Sequence, residues 1–196
     1  KRDLRMICGK VLMDRNGPIG LLDTPETSYI DSKNLIERWH GRGRLRYAVS
    51  PRFAPTSTPD QLATACQLLR EYPGTHLQTH LSEDKEEINW VKSLFPSCKN
   101  YLDVYKRAGL LGKRSTFAHC LHLTEADWGI LQDAGCSVAF CPSSNLFLGS
   151  GLFDLPRLQF ANVKVGIGTD VGAGTSLSML QTIADAYKTQ RLAGND

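Results

Sequence analysis

The sequence predicts an α/β fold, a (β/α)8 TIM-type barrel present as a partial barrel of about six of its eight strands. Strand-like and helix-like segments alternate from one end to the other, which implies a parallel sheet covered by helices. Six such units fit a chain of 196 residues, whereas a complete barrel takes about 250. No Gly-x-Gly-x-x-Gly follows the first strand, so nothing favours a doubly wound dinucleotide fold. Residues 1–196 are expected to form a single barrel domain cut at its N-terminus and also at its C-terminus. Lys1 is not an initiator, an apolar strand follows almost at once, and Ala193-Gly194-Asn195-Asp196 closes directly on a helical pattern.

Taken in order, residues 6–13 read as a largely buried strand. Thr24-Pro25 then supplies an N-cap with proline at the first helical position, and Tyr29, Ile36 and Trp39 form that helix's apolar face. Residues 45–50 are the next strand. Thr58-Pro59-Asp60-Gln61 has the spacing of a capping box, before a helix with Leu62, Ala65, Cys66 and Leu69 on one face. Pro73-Gly74 stops it. Residues 75–79 are strand-like, and Ile88, Val91 and Phe95 mark the helix that follows. After a short strand at 115–118, Thr124 caps a helix carrying Trp128 and Leu131, and Gly135 ends it. Strands at 137–141 and 164–168 are joined by a Pro/Gly/Ser-rich stretch without clear periodicity. Ser176 is expected to cap the last helix, with Met179, Ile183 and Tyr187 on it.

Composition narrows the function. Hydrophobic residues make up 41% and charged residues 22%, as in ordinary soluble domains. The net charge is +3 and its basic residues are scattered, which argues against a nucleic-acid or membrane-surface partner. No apolar run approaches the roughly 20 residues of a membrane span. The six cysteines form no Cys-x-x-Cys, and Cys8, Cys66, Cys120 and Cys141 lie in apolar segments, as small buried hydrophobes do. A reduced, cytoplasmic protein is expected.

In a barrel of this type, chemistry sits where each strand passes into its loop. Those positions hold Ser50-Pro51-Arg52-Phe53, Thr79-His80-Leu81-Ser82-Glu83, Ala118-His119 and Gly168-Thr169-Asp170. Singly, each has a plain structural explanation: a hydrogen-bonded histidine, a turn-forming aspartate, a glutamate favouring a helix N-terminus. Two histidines, an aspartate and a glutamate converging on one mouth instead suit a borderline cation such as zinc. His40 lies at the wrong end of its unit, His76 sits deeper on the same strand face as His80, and His122 is a weaker candidate in the loop after His119.

Gln78-Thr79-His80-Leu81-Ser82-Glu83, Phe117-Ala118-His119 and Gly168-Thr169-Asp170 resemble the metal-site segments of the amidohydrolase superfamily, in its metal-dependent deaminase and chlorohydrolase branch. Ser50-Pro51-Arg52-Phe53-Ala54-Pro55, Cys141-Pro142-Ser143-Ser144-Asn145 and 168–174 are similar to segments of the bacterial guanine-deaminase family. The resemblance runs over almost the whole chain.

It implies hydrolytic conversion of guanine to xanthine and ammonia. One Zn²⁺ per site is implied, with iron also compatible with such ligands. His80 and Asp170 would be metal ligands, with His119 ligating or orienting the water. Glu83, Asp170 and His119 would be the catalytic groups, and Arg52, Phe53, His80, Glu83 and Asp170 would meet the substrate. Arg52 would donate to the purine carbonyl oxygen and Phe53 would stack on the ring. The family also carries a His-x-His pair that this sequence lacks, so the segment alone is expected to be inactive. The resemblance leaves a homodimer open. The alternatives are a related deaminase or chlorohydrolase acting on a pterin, a triazine or another purine, and a non-catalytic barrel that binds a purine or a protein.

Overall fold

The computed structural model describes residues 3–195. The predicted first strand divides into β1 (Met6–Cys8) and β2 (Val11–Leu12), both parallel to β3 (Leu45–Pro51). The break falls at Gly9, where a Cβ would lie 1.9 Å from the Ala48 carbonyl oxygen, so only glycine lets the two backbones approach this closely. Between them and β3 runs α1 (Pro25–Trp39), closed by a capping box between Thr24 and Thr27.

The chain continues through α2 (Pro59–Glu71), β4 (His76–Leu81), α3 (Lys85–Leu94), α4 (Tyr101–Arg107), β5 (Ser115–His119) and α5 (Glu125–Ala134). It ends through β6 (Ser137–Phe140), α6 (Pro142–Leu148), α7 (Leu155–Phe160), β7 (Lys164–Ile167) and α8 (Met179–Leu192). The strands pair in the order β1-β3-β4-β5-β6-β7, with β2 also beside β3, and every pairing is parallel. This is the partial barrel that the alternation predicts.

The core lies between the outer face of the sheet and the helices. Thr79, Phe117 and Val138 stand in register across β4, β5 and β6, and Leu77 and Leu81 share that face of β4. Leu62, Leu68, Tyr105 and Leu131 come down on this face, all nearly or fully buried. Each leucine so buried contributes about 1.5–3 kcal/mol relative to exposure. Phe140 and Phe153 stack with centroids 4.6 Å apart, which anchors the connection before α7.

Several local expectations are corrected. The Thr58 hydroxyl accepts from Gln61 N–H at 3.2 Å, but the reciprocal arm of the box is absent. The Asp14 carboxylate takes the Thr58 N–H at 2.8 Å, and the Gln61 amide instead donates to Ser28 Oγ at 2.7 Å, joining α1 to α2. Ser178, not Ser176, caps α8 by accepting from Gln181 N–H. Met179, Ile183 and Tyr187 are exposed, because α8 turns Thr182, Ala186, Thr189 and Gln190 inward. Trp39 also lies largely exposed at the end of α1. Cys8 is exposed, since β1 is an outer strand with Met6 and Ile7 open beside it, and Cys66 is only partly covered; all six cysteines are free thiols. The helices α4, α6 and α7 lie in stretches where the sequence shows no clear period.

Candidate metal and substrate site

The inner face of the sheet is built for access. His80 is in register with Ala118, Ala118 with Ala139, and Ala139 with Gly166, so small side chains flank His80 across three strands. His76, Gln78 and His80 alternate on this face of β4, as period-two geometry requires. His119 is different. Simple alternation would set it on the outer face with Phe117, but its φ of 68° swings the ring round to stack on His80, with centroids 5.4 Å apart. Ser82 and Asp170 also adopt positive φ, 50° and 47°. Such conformations in residues other than glycine persist only where neighbours hold them, and they gather at functional sites.

Each imidazole is oriented from behind. His80 Nδ1 donates to the Arg52 carbonyl at 2.6 Å, which turns Nε2 towards the mouth. His119 Nδ1 donates to Asn145 Oδ1 at 2.8 Å, and its Nε2 is buried without a hydrogen-bond partner. Glu83 Oε2 lies 3.5 Å and Asp170 Oδ2 3.7 Å from that nitrogen. Asp170 is placed by a tight turn after β7: Gly174 N–H donates to the Asp170 carbonyl at 2.6 Å, and a Cβ on Gly174 would stand 1.8 Å from the Thr169 carbonyl oxygen.

One ligand atom each from His80, His119 and Asp170 lies within 4.8 Å of the others. Burial lowers the pKa of both histidines, and each also lies beside the other or a carboxylate. They are thus held neutral, the form that offers a lone pair. Burial raises the Glu83 carboxyl, with His80 opposing and Asp170 reinforcing. Two neutral imidazoles and a carboxylate fit a borderline divalent cation. The orphaned His119 Nε2 points the same way, since a buried polar atom without a partner costs about 1–3 kcal/mol.

Arg52 and Phe53 stand beside this cluster. The Arg52 guanidinium lies 4.6 Å over the Phe53 ring, the ring centroid is 6.1 Å from that of His80, and Trp90 of α3 meets Phe53 edge-on at 6.3 Å. One face of Phe53 therefore carries the guanidinium. All six expected residues come together at one mouth. His122 does not join them: its Nε2 lies 3.0 Å from the Ser150 carbonyl and ties down that loop. His40 accepts from Tyr47 N–H at 3.0 Å, remote from the mouth.

Sequence reasoning missed Asn145, Trp90, Glu87 and the two tyrosines of α4. Asn145 falls inside the noted Cys141–Asn145 motif, yet only the fold shows that it orients His119. Glu87 accepts from Tyr101 Oη at 2.6 Å and from Glu83 N–H at 3.1 Å; its spacing of one helical turn from Glu83 was the available signal.

A partial parallel barrel with two histidines and an aspartate gathered at its strand ends belongs to the class of barrels that can hold a metal ion at the mouth. Residues 2–196 match the amidohydrolase family, and the chain belongs to it. It is 59% identical over 192 residues to the guanine deaminase of Escherichia coli (strain K12), covering 98% of this chain and 44% of that protein. The solved structure of E. coli guanine deaminase superposes with a TM-score of 0.97 over 98% of this chain and 45% of that one. Guanine deaminase from C. acetobutylicum, solved with guanine bound in its active site, is 30% identical with a TM-score of 0.90, over 94% of this chain and 44% of that one. An adenosine deaminase from Xanthomonas campestris with bound zinc is 25% identical with a TM-score of 0.84, over 95% and 42%. The chain thus spans less than half the length of these relatives.

Proposed function

We propose that the protein carrying this chain deaminates guanine hydrolytically to xanthine and ammonia, with zinc held by His80 and Asp170 and with His119 as ligand or water-orienting group. The observation that supports this most is the convergence of Arg52 and Glu83 on the mouth formed by His80, His119 and Asp170. The identity with guanine deaminases over nearly the whole chain supports the choice of substrate. Zinc is the ion named for the Xanthomonas campestris relative. Six free thiols suit a reducing, cytoplasmic setting.

A bound cation supplies hydroxide at neutral pH by lowering the pKa of its water to about 7. Asp170 accepts the proton of the attacking water. Glu83, raised in pKa by its burial, delivers a proton to the ring nitrogen beside the carbon that bears the amino group. It takes up the hydroxyl proton of the tetrahedral adduct and passes it to the departing amine, and the proton held on Asp170 then restores Glu83. Water is added, the carbon–nitrogen bond breaks, and ammonia leaves. The backbone and Asn145 contacts keep both imidazoles in one tautomer throughout. Arg52 selects the substrate: its guanidinium donates to the carbonyl oxygen of guanine and would be left unpaired by a purine without it.

The test is Arg52→Ala in the full-length, zinc-loaded protein, with ammonia release measured from guanine and from 2-aminopurine, which lacks the oxygen. The wild type should prefer guanine by roughly 10⁴-fold, and the variant should bring the two within about tenfold. Guanine turnover at the wild-type rate would remove Arg52 from this role. A wild type that releases no ammonia from guanine sinks the function itself.

A further inference from the structure

The seven-residue helix α4 carries no residue of the mouth, yet two of its side chains reach the backbone beneath it. Tyr101 and Tyr105 are four residues apart and so share one face, their ring centroids 5.6 Å apart. Both are buried, Tyr105 completely. The Tyr105 hydroxyl donates to the His80 carbonyl at 2.8 Å and accepts from Ala54 N–H at 3.0 Å. The Thr79 hydroxyl lies 3.1 Å from the Tyr105 hydroxyl oxygen and 3.2 Å from the Arg52 carbonyl, and shares its one proton between these two acceptors. That Arg52 carbonyl is the one holding His80 Nδ1. One hydroxyl group, with its donor and two acceptor positions, thus joins the segment bearing Arg52 and Phe53 to the strand end bearing His80.

Tyr101 serves the other side. Its hydroxyl donates to Glu87 Oε1 at 2.6 Å, and Glu87 Oε2 accepts from Glu83 N–H at 3.1 Å. The Glu83 backbone, which follows Ser82 at a positive φ, is held from α4 through one carboxylate.

We infer that α4 is a positioning element with divided labour: Tyr105 sets the Arg52–Phe53 segment against His80, and Tyr101, acting through Glu87, sets Glu83. The inference rests on the proposed guanine deamination and adds the groups that hold its specificity residue and its acid–base residue in place. Buried tyrosines that only filled the core would lend stability to the whole domain alike. Positioning residues instead act on separate kinetic quantities.

The experiment compares Tyr105→Phe and Tyr101→Phe in the full-length, zinc-loaded protein, with kcat and KM for guanine and for 2-aminopurine, and with thermal melting. Loss of a hydrogen bond behind a site residue typically costs 10- to 100-fold. Tyr105→Phe should raise KM for guanine and lower the preference for guanine over 2-aminopurine by about tenfold or more. Tyr101→Phe should lower kcat for both purines by about tenfold and leave the preference unchanged. If both variants lose only melting temperature and active fraction, with preference and KM as in wild type, the inference is overturned. Should Tyr105→Phe fail to fold, Thr79→Val removes only the bridging hydroxyl. It should lower the preference about threefold, and an unchanged preference overturns the inference equally. A wild type inactive on guanine would overturn the function and this inference together. An active wild type with an unmoved preference would overturn this inference alone.

Discussion

The two sides of the site are held by different means. On the side of β3, β4 and β5, side-chain and backbone hydrogen bonds from several elements hold the site. Arg52 and Thr79 steady His80, Asn145 steadies His119, and Tyr105 and Glu87 reach up from α4 and α3. The strands beneath are packed on fully buried Leu81, Phe117 and Leu131. On the side of β7 and α8, Val165 and Ile167 are partly open and Leu180 is 80% exposed. Among the described residues, no hydrogen bond reaches the Asp170 carboxylate. Its place is set by its own turn, through the Gly174 N–H and a close backbone approach. The first side is preorganised by a network of several hydrogen bonds. Within this chain the second is shaped by one backbone turn, so a small change to that turn should matter.

Gly174→Ala is therefore expected to have the largest effect. The added methyl meets the Thr169 carbonyl at 1.8 Å, which the turn can relieve only by opening and carrying Asp170 with it. A misplacement of about 1 Å can cost roughly 10²-fold in rate. Zinc content and guanine turnover of the full-length protein should both fall by about that factor or more. Unchanged zinc content would show that the turn has slack and that the two sides are held alike.

Asn145→Ala tests the networked side. Removing Oδ1 frees the His119 Nδ1–H in a buried site and loosens the ring that stacks on His80. A loss of about 10- to 100-fold in zinc affinity or activity is expected. Asn145→Asp, which keeps an acceptor, should recover most of it. Wild-type metal affinity in Asn145→Ala would mean that the positive φ of His119 suffices to aim the ring without its partner.

The contrast also explains what was legible in the sequence. The strand ends could be read because a parallel sheet is announced by alternation and puts its chemistry at one edge, which exposes His80, Glu83, His119 and Asp170 as candidates. The helix α6 had usable signals, Pro142 at its first position and Gly149 left-handed at its end with φ 71°, but at seven residues it is too short to show a period. The stacking of His119 on His80 was not legible, since alternation places it on the wrong face. Nor were Asn145 and Tyr105, whose partners lie 26 and 25 residues away and meet them only once the sheet is assembled. Cys8 shows the converse: its apolar run reads as buried, but in the partial barrel β1 has an open flank and Cys8 is exposed.

The smallest effect should appear in stability, again on the networked side. Burial pushes the Glu87 carboxyl up from 4.5 to about 7, although the Tyr101 hydroxyl and the Glu83 N–H both favour its ionised form. The folded protein therefore holds this proton more tightly than the unfolded chain. The stability that Glu87 contributes is fully present below about pH 4, and it is lost as pH rises through about 7. Glu87→Gln keeps a neutral acceptor at every pH. The difference in unfolding free energy should thus move in favour of the variant between pH 4.5 and pH 8, by on the order of 3 kcal/mol, spread almost evenly between about pH 4.5 and 7 and levelling off above. Urea unfolding at several pH values across that window measures it. A difference that stays flat would mean that Glu87 binds its proton equally in the folded and unfolded chain, its two donors offsetting the cost of burial.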